Sequence, residues 1–188
     1  ICHCGKFVFI CRKGIRMQKY TRLATKDDLA EIMAIIGDAK IFLKKSGSTQ
    51  WQNGYPNEES ILDDIKNGDG YVLVVGDKVA GYTAAITGVD PHYLKIEGGS
   101  WSDNDDPYTT IHRICLSSNY QGQGLSRIFM SDIISLEYAT GVRNFRVDTH
   151  RLNKPMQKLA TGNGFEYRGI IQVDDEVDPD RLAYELNM

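Results

Sequence analysis

Residues 117–127 read SSNYQGQGLSR and stand between an apolar run ending in Cys115-Leu116 and the stretch IFMSDIISLEYA. Gly122 and Gly124 precede apolar residues Leu125, Ile128, Phe129, Ile133 and Leu136, whose spacing predicts a helix. A loop that enters a helix this way exposes main-chain N–H groups from about Gly122 to Arg127. Orphan donors and the helix dipole together attract an anion there. Glycine carries no Cβ to block phosphate oxygens, and Arg127 adds a charge, so a diphosphate suits the loop. A Walker loop requires Gly-Lys-Ser or Gly-Lys-Thr, whereas Gly124 is followed by Leu125-Ser126. The dinucleotide fingerprint GxGxxG would put its third glycine at Arg127, whose side chain obstructs helix-to-strand packing. Asp148 does close the next strand near where a ribose-binding acid belongs. A glycine-rich helix entry without a ligand is the plain alternative, and the flanking chain must decide.

On the N-terminal side, residues 18–24 read as an edge strand. Thr25 with Asp28 resembles a helix cap, and Leu29, Ile32, Met33, Ile36 and Leu43 form one apolar stripe. Glu58 to Lys66 makes a second helix. YVLVV and KVAGYTAAIT flank Gly76-Asp77 as an antiparallel hairpin. Residues 88–107 form an irregular surface excursion able to fold over a pocket. Tyr108 to Leu116 is a strand that leads into the glycine loop. On the C-terminal side NFRVDT is a strand, Asn153 to Thr161 a short helix, and FEYRGIIQV and RLAYEL a final strand pair. The order β, α, α, β, β, β, α, β, α, β, β predicts a mixed α/β (α+β) single domain. Its sheet is mostly antiparallel, with a parallel crossover at the strand–loop–helix–strand unit. Antiparallel hairpins on both sides argue against a dinucleotide-binding oxidoreductase.

At 188 residues, the chain suits one domain. Its net charge of -3 offers no basic surface for nucleic acid, and no apolar run is long enough to span a bilayer. Residues 1–16 hold three of the four cysteines and read as a non-native or disordered extension ahead of Met17. Their basic residues follow the apolar stretch, contrary to a secretory signal. Cys2, Cys4, Cys11 and His3 lack a second pair at metal-site spacing, so no metal is expected. Cys115 within an apolar strand suits a reduced, cytoplasmic interior and is expected to be buried and inert.

Gln121-Gly122-Gln123-Gly124-Leu125-Ser126 resembles the signature of the GCN5-related N-acetyltransferase (GNAT) superfamily: Gln or Arg, two residues, Gly, one residue, then Gly or Ala. Ser126 is a small departure at the last position. The element order is also that family's, and Asn153, Met156, Leu159, Gly164 and Phe165 fit its last helix and exit. The resemblance covers roughly residues 18–188. It implies acetyl-CoA with its pyrophosphate on the loop and its pantetheine arm along the edge of Ile114, Cys115 and Leu116, where the fourth and fifth strands splay. Adding an extended amide chain to a strand edge is ordinary β-augmentation. Asn153 and Met156 would contact the same arm, and Asn153 can also cap its helix.

Acetyl transfer to an amine needs a base, stabilisation of an oxyanion, and a proton for the leaving thiolate. Strand N–H groups can serve the oxyanion. The Tyr that many relatives place after the position of Leu159 is Ala160 here. His112 is the first candidate base, because histidine titrates near neutral pH and strand alternation predicts His112 and Ile114 on one side, Arg113 and Cys115 on the other. A histidine bonded within the sheet is the structural alternative. His150 is the second candidate, expected to be more exposed, with Asp148 either orienting it or capping the helix. Trp51, Tyr55, Tyr93 and Trp101 lie on segments expected to wall the acceptor side, or else to plug their loops onto the core. The expected activity is direct acetyl transfer to a small primary amine. Neither nucleic acid nor membrane is an expected partner, and a homodimer is left open. The alternatives are an acyl-CoA-binding module without turnover and, more weakly, the oxidoreductase.

Overall fold

The computed structural model describes residues 17–102 and 107–188. The expectation for residues 1–16 lies outside them. Seven strands form one sheet in the order β1-β2-β3-β4-β5-β7-β6. They are β1 (Lys19–Leu23), β2 (Gly70–Val75), β3 (Lys78–Thr87), β4 (Tyr108–Leu116), β5 (Asn144–Thr149), β6 (Glu166–Gln172) and β7 (Asp180–Asn187). Four α-helices among the described residues accompany them: α1 (Leu29–Lys45), α2 (Glu58–Asn67), α3 (Leu125–Ala139) and α4 (Lys154–Gly162). Every pairing is antiparallel except β4 with β5, which is parallel as the crossover requires. No helix among the described residues is long and apolar enough to cross a membrane.

The two faces of the sheet carry separate cores. On one, Ile32, Ile35 and Ile36 of α1 and Ile61 of α2 pack on Val72, Val74, Tyr82 and Cys115. On the other, Phe129, Met130 and Ile133 of α3 and Ala160 of α4 pack on Leu73, Ile111, Phe145 and Val147. Alternate residues of β2 therefore face opposite helices, as pleating demands. Asn57 caps α2 through Ser60 N–H, and Gly68 ends that helix in the left-handed region.

The excursion after β3 is fastened to the sheet. Glu97 and Ile170 exchange N–H to carbonyl bonds of 2.8 and 2.9 Å. Gly99 is required there, because a Cβ would lie 1.8 Å from the Arg168 carbonyl oxygen. The Ser102 amide donates to Glu185 Oε2 at 2.7 Å, and fully buried Glu185 also accepts from Arg146 and Arg168. The Arg146 guanidinium lies against the rings of Trp101 and Tyr108, 4.1 and 3.9 Å from their centroids. Buried charge is thus paired and stacked, which fixes the turn Pro91–Tyr93 over the open end of β4 and β5.

Candidate active site

β4 and β5 pair only at Tyr108–Asn144, Thr109–Phe145 and Thr110–Arg146. Beyond Thr110 the two strands separate, and a cleft of about 990 Å³ opens between them. Val147, Asp148 and Thr149 line it from β5, His112 to Leu116 from β4, and Asn153, Met156 and Leu159 from the start of α4.

At the same place β4 carries a bulge. Tyr82 opposes Cys115 and Ala84 opposes His112, so two steps on β3 match three on β4. Arg113 absorbs the extra residue at φ +59°, and Thr83 Oγ1 donates to the His112 carbonyl at 2.9 Å. This overturns the simple alternation. Ile114 packs with Ile111 in the α3 core, while Cys115 packs in the α1–α2 core. His112 lies instead against Tyr93, whose ring is 6.3 Å away, edge to face. The Arg113 side chain reaches α2, where Nη1 donates to both oxygens of Asp64 at 2.6 Å, and its Nε donates to the Tyr55 hydroxyl at 2.6 Å.

His112 Nε2 is 3.1 Å from Asp90 Oδ2, and His92 Nδ1 is 3.0 Å from Asp90 Oδ1. Two imidazoles therefore share one carboxylate. Burial acts against the charge of Asp90, but hydrogen bonds from His112 and the His92 amide hold its carboxyl at about 2. Burial likewise opposes charge on His92, yet Asp90 and Asp174 draw its pKa upward. With Nε2 directed at Asp90, Nδ1 of His112 is the nitrogen without a partner among the described residues.

Tyr93 is buried and donates its hydroxyl to Asp148 at 2.7 Å. Burial and that carboxylate push its phenol well above its ordinary value, so it stays protonated. Asp148 therefore neither orients His150 nor caps α4. The cap is Asn153, which accepts from Met156 N–H at 3.3 Å. His150 is 1% exposed, not the more exposed candidate expected, and it does not line the cleft. Its Nδ1 accepts the Leu152 N–H at 3.1 Å, so Nε2 carries the proton toward Asp178 at 3.0 Å. It is a tie between β5 and the turn before β7.

Trp51, Tyr55 and Tyr93 line the cleft, and Trp101 does not. Trp101 stacks on Tyr93 at 5.5 Å and donates Nε1 to its carbonyl, so it supports the wall from behind. Cys115 is buried, and burial raises its thiol to about 12.

The glycine loop lies at the head of α3. Gly122 and Gly124 adopt φ of +73° and +70°, and a Cβ at either would meet nothing within 4 Å. Their conformation requires glycine, and the space beside them is open. Among the described residues no group accepts the main-chain N–H of Gly122, Gln123, Gly124, Leu125, Ser126 or Arg127, and no side chain caps α3. Gln121 and Ser126 line the cleft, Leu125 enters the core, and Arg127 lies toward Gly162 and Asn163 of the α3–α4 groove. A row of free donors beside open space fits a diphosphate.

Asp90 and Arg113 were not singled out from the sequence. A Pro-flanked Asp in an irregular loop and an Arg in mid-strand give no local sign of reaching the same cleft.

Residues 40–165 match the sequence model of the acetyltransferase (GNAT) family. Among solved structures the chain is similar to a GNAT-family acetyltransferase of Streptococcus agalactiae 2603. The two are 35% identical with a TM-score of 0.83, over 90% of this chain and 95% of that one. A GNAT-family acetyltransferase of Listeria monocytogenes 4b F2365 has a TM-score of 0.69 at 21% identity, over 90% and 95% of the two chains. An N-acetyltransferase of Staphylococcus aureus Mu50 has a TM-score of 0.64 at 19% identity, over 90% and 98%. These last two speak to the fold alone. No protein of curated function matches the chain.

Proposed function

The chain belongs to the GNAT acetyltransferase family, and from that premise we propose that it transfers the acetyl group of acetyl-CoA to a primary amine of a small molecule, by direct transfer. The observation that carries this reading is one strand with two assets: the unpaired edge of β4 beyond Thr110, and the imidazole of His112 on that edge, held by Asp90.

Acetyl-CoA supplies an activated thioester. The free N–H groups at the head of α3 would hold its diphosphate, and residues 114–116 would pair with its amide arm as an added strand. Asn153 and Met156, both lining the cleft, would bound that arm from α4. Main-chain N–H groups at the Arg113 bulge would face the carbonyl oxygen as negative charge develops on it. The acceptor ammonium first loses one proton to solvent; the neutral amine nitrogen then forms the new C–N bond while its second departing proton passes to Nδ1 of His112. The C–S bond breaks, and the thiolate takes a proton from solvent. Nε2 of His112 stays bonded to Asp90 throughout, which steadies the imidazolium.

Asp90, Asp148 and Asp174 around the cleft suit an acceptor that arrives as an ammonium. The test is thiol release from acetyl-CoA with a panel of amines. Release dependent on amine supports transfer. Ala160 favours a second reading, a coenzyme-binding module without turnover. It is fully buried in the α3 core and brings no phenol toward the cleft. Calorimetric binding of acetyl-CoA with no thiol release on any acceptor would select that module.

A further inference from the structure

We infer that the acceptor is a diamine or longer polyamine: an unbranched chain with at least two protonated nitrogens and no acid group. This rests on reading the cleft as an acetyltransferase site. Both guanidinium groups that line the cleft are already matched. Arg113 is paired with Asp64 on α2, and buried Arg181 with Asp175 at 2.9 Å. No lysine lines it. An amino-acid acceptor would bring a carboxylate and find no unpaired permanent cation among the described lining residues.

The carboxylates show the opposite imbalance. Asp148 is half-buried, and its bonded partner is the neutral phenol of Tyr93. Asp174 lies at the rim with its side chain 99% exposed and meets His92 at 3.3 Å, so solvent screens it and Asp148 carries the imbalance. Asp90 accepts from the His92 amide and faces the two imidazoles, with no lysine or arginine bonded to it among the described residues. A second, independent sign is the hydroxyl of Thr110, which is buried, lines the cleft and has no hydrogen-bond partner among the described residues. Thr110 precedes His112 by two residues on a strand still regular there, so both share a face. Its oxygen can accept from the ammonium that delivers the reacting nitrogen. Asp148 stands across the splay on β5 and can hold a second nitrogen. Phe42, Trp51 and Tyr55 provide apolar surface for methylenes between them.

The experiment is thiol release with three matched series: α,ω-diamines, monoamines of equal length, and diamino acids. A charge-assisted hydrogen bond to the second nitrogen should raise kcat/KM for a diamine about ten- to a hundredfold over its monoamine. Asp148→Asn should narrow that ratio, with calorimetric acetyl-CoA binding retained as the check of folding. Equal or better turnover of monoamines or diamino acids would overturn the inference while leaving the transferase reading intact. No turnover with any amine would overturn both.

Discussion

Nε2 of His112 lies 3.1 Å from Oδ2 of Asp90, at the point where β4 and β5 have just parted. The two residues come from a strand and from the loop before it, and the turn Pro91–Tyr93 closes the contact. Loss of a positioned general base costs about 10²- to 10⁴-fold. His112→Ala should therefore lower kcat by that order and leave the acetyl-CoA Kd near its original value. Single-turnover kinetics with calorimetry checks both, and an unchanged rate would move the proton to water.

Asp90 also links the site to acid stability. Its carboxyl, ordinarily near 3.8, is held at about 2 in the folded chain. Folding thus favours the ionised form, by about 2 kcal/mol at roughly 1.4 kcal/mol per pH unit. That stability is complete above pH 4 and is lost as pH falls through about 2. The Asp90→Asn variant should lack this part of the pH dependence. Denaturant midpoints measured between pH 5 and pH 2 check it: parallel curves for the two proteins would contradict the assignment.

Gly124 sits at φ +70° with open space where a side chain would be. Gly124→Val should cost about 1–2 kcal/mol of stability for the left-handed backbone. It should weaken acetyl-CoA binding by at least about tenfold, since even one lost charge-assisted hydrogen bond is worth that much. Titration calorimetry provides the measurement, and an unaltered affinity would remove the loop from cofactor binding.

Arg113 and Asp64 form a largely buried pair, with side chains 12% and 6% exposed. Removing one partner strands the other charge, at about 3–5 kcal/mol. Arg113→Ala should lower Tm by about 10 °C. The double replacement Arg113→Met with Asp64→Asn should recover much of that loss, because Asn removes the stranded charge and keeps an acceptor for the buried Tyr82 hydroxyl. Thermal scans of the single and double variants decide whether the charge or the backbone bulge sets the cost.

What the sequence determined by itself is local. The apolar periods of α1 and α3, the β2–β3 hairpin and the crossover before β5 follow from side-chain spacing and turn chemistry. The glycine loop was legible because positive φ and free helix-end donors are properties of a few adjacent residues. Tertiary structure decided the rest. One extra residue at Arg113 against β3 put Ile114 and His112 on opposite faces, which no reading of β4 alone could show. His150 became a buried tie because Asp178, 28 residues away, folds back onto it. Trp101 went behind Tyr93 because Arg146 and Glu185 hold the excursion down. Asp90 entered the site by the same docking. Pairing register and loop docking depend on residues far apart in the chain, and these set which polar groups meet in the cleft.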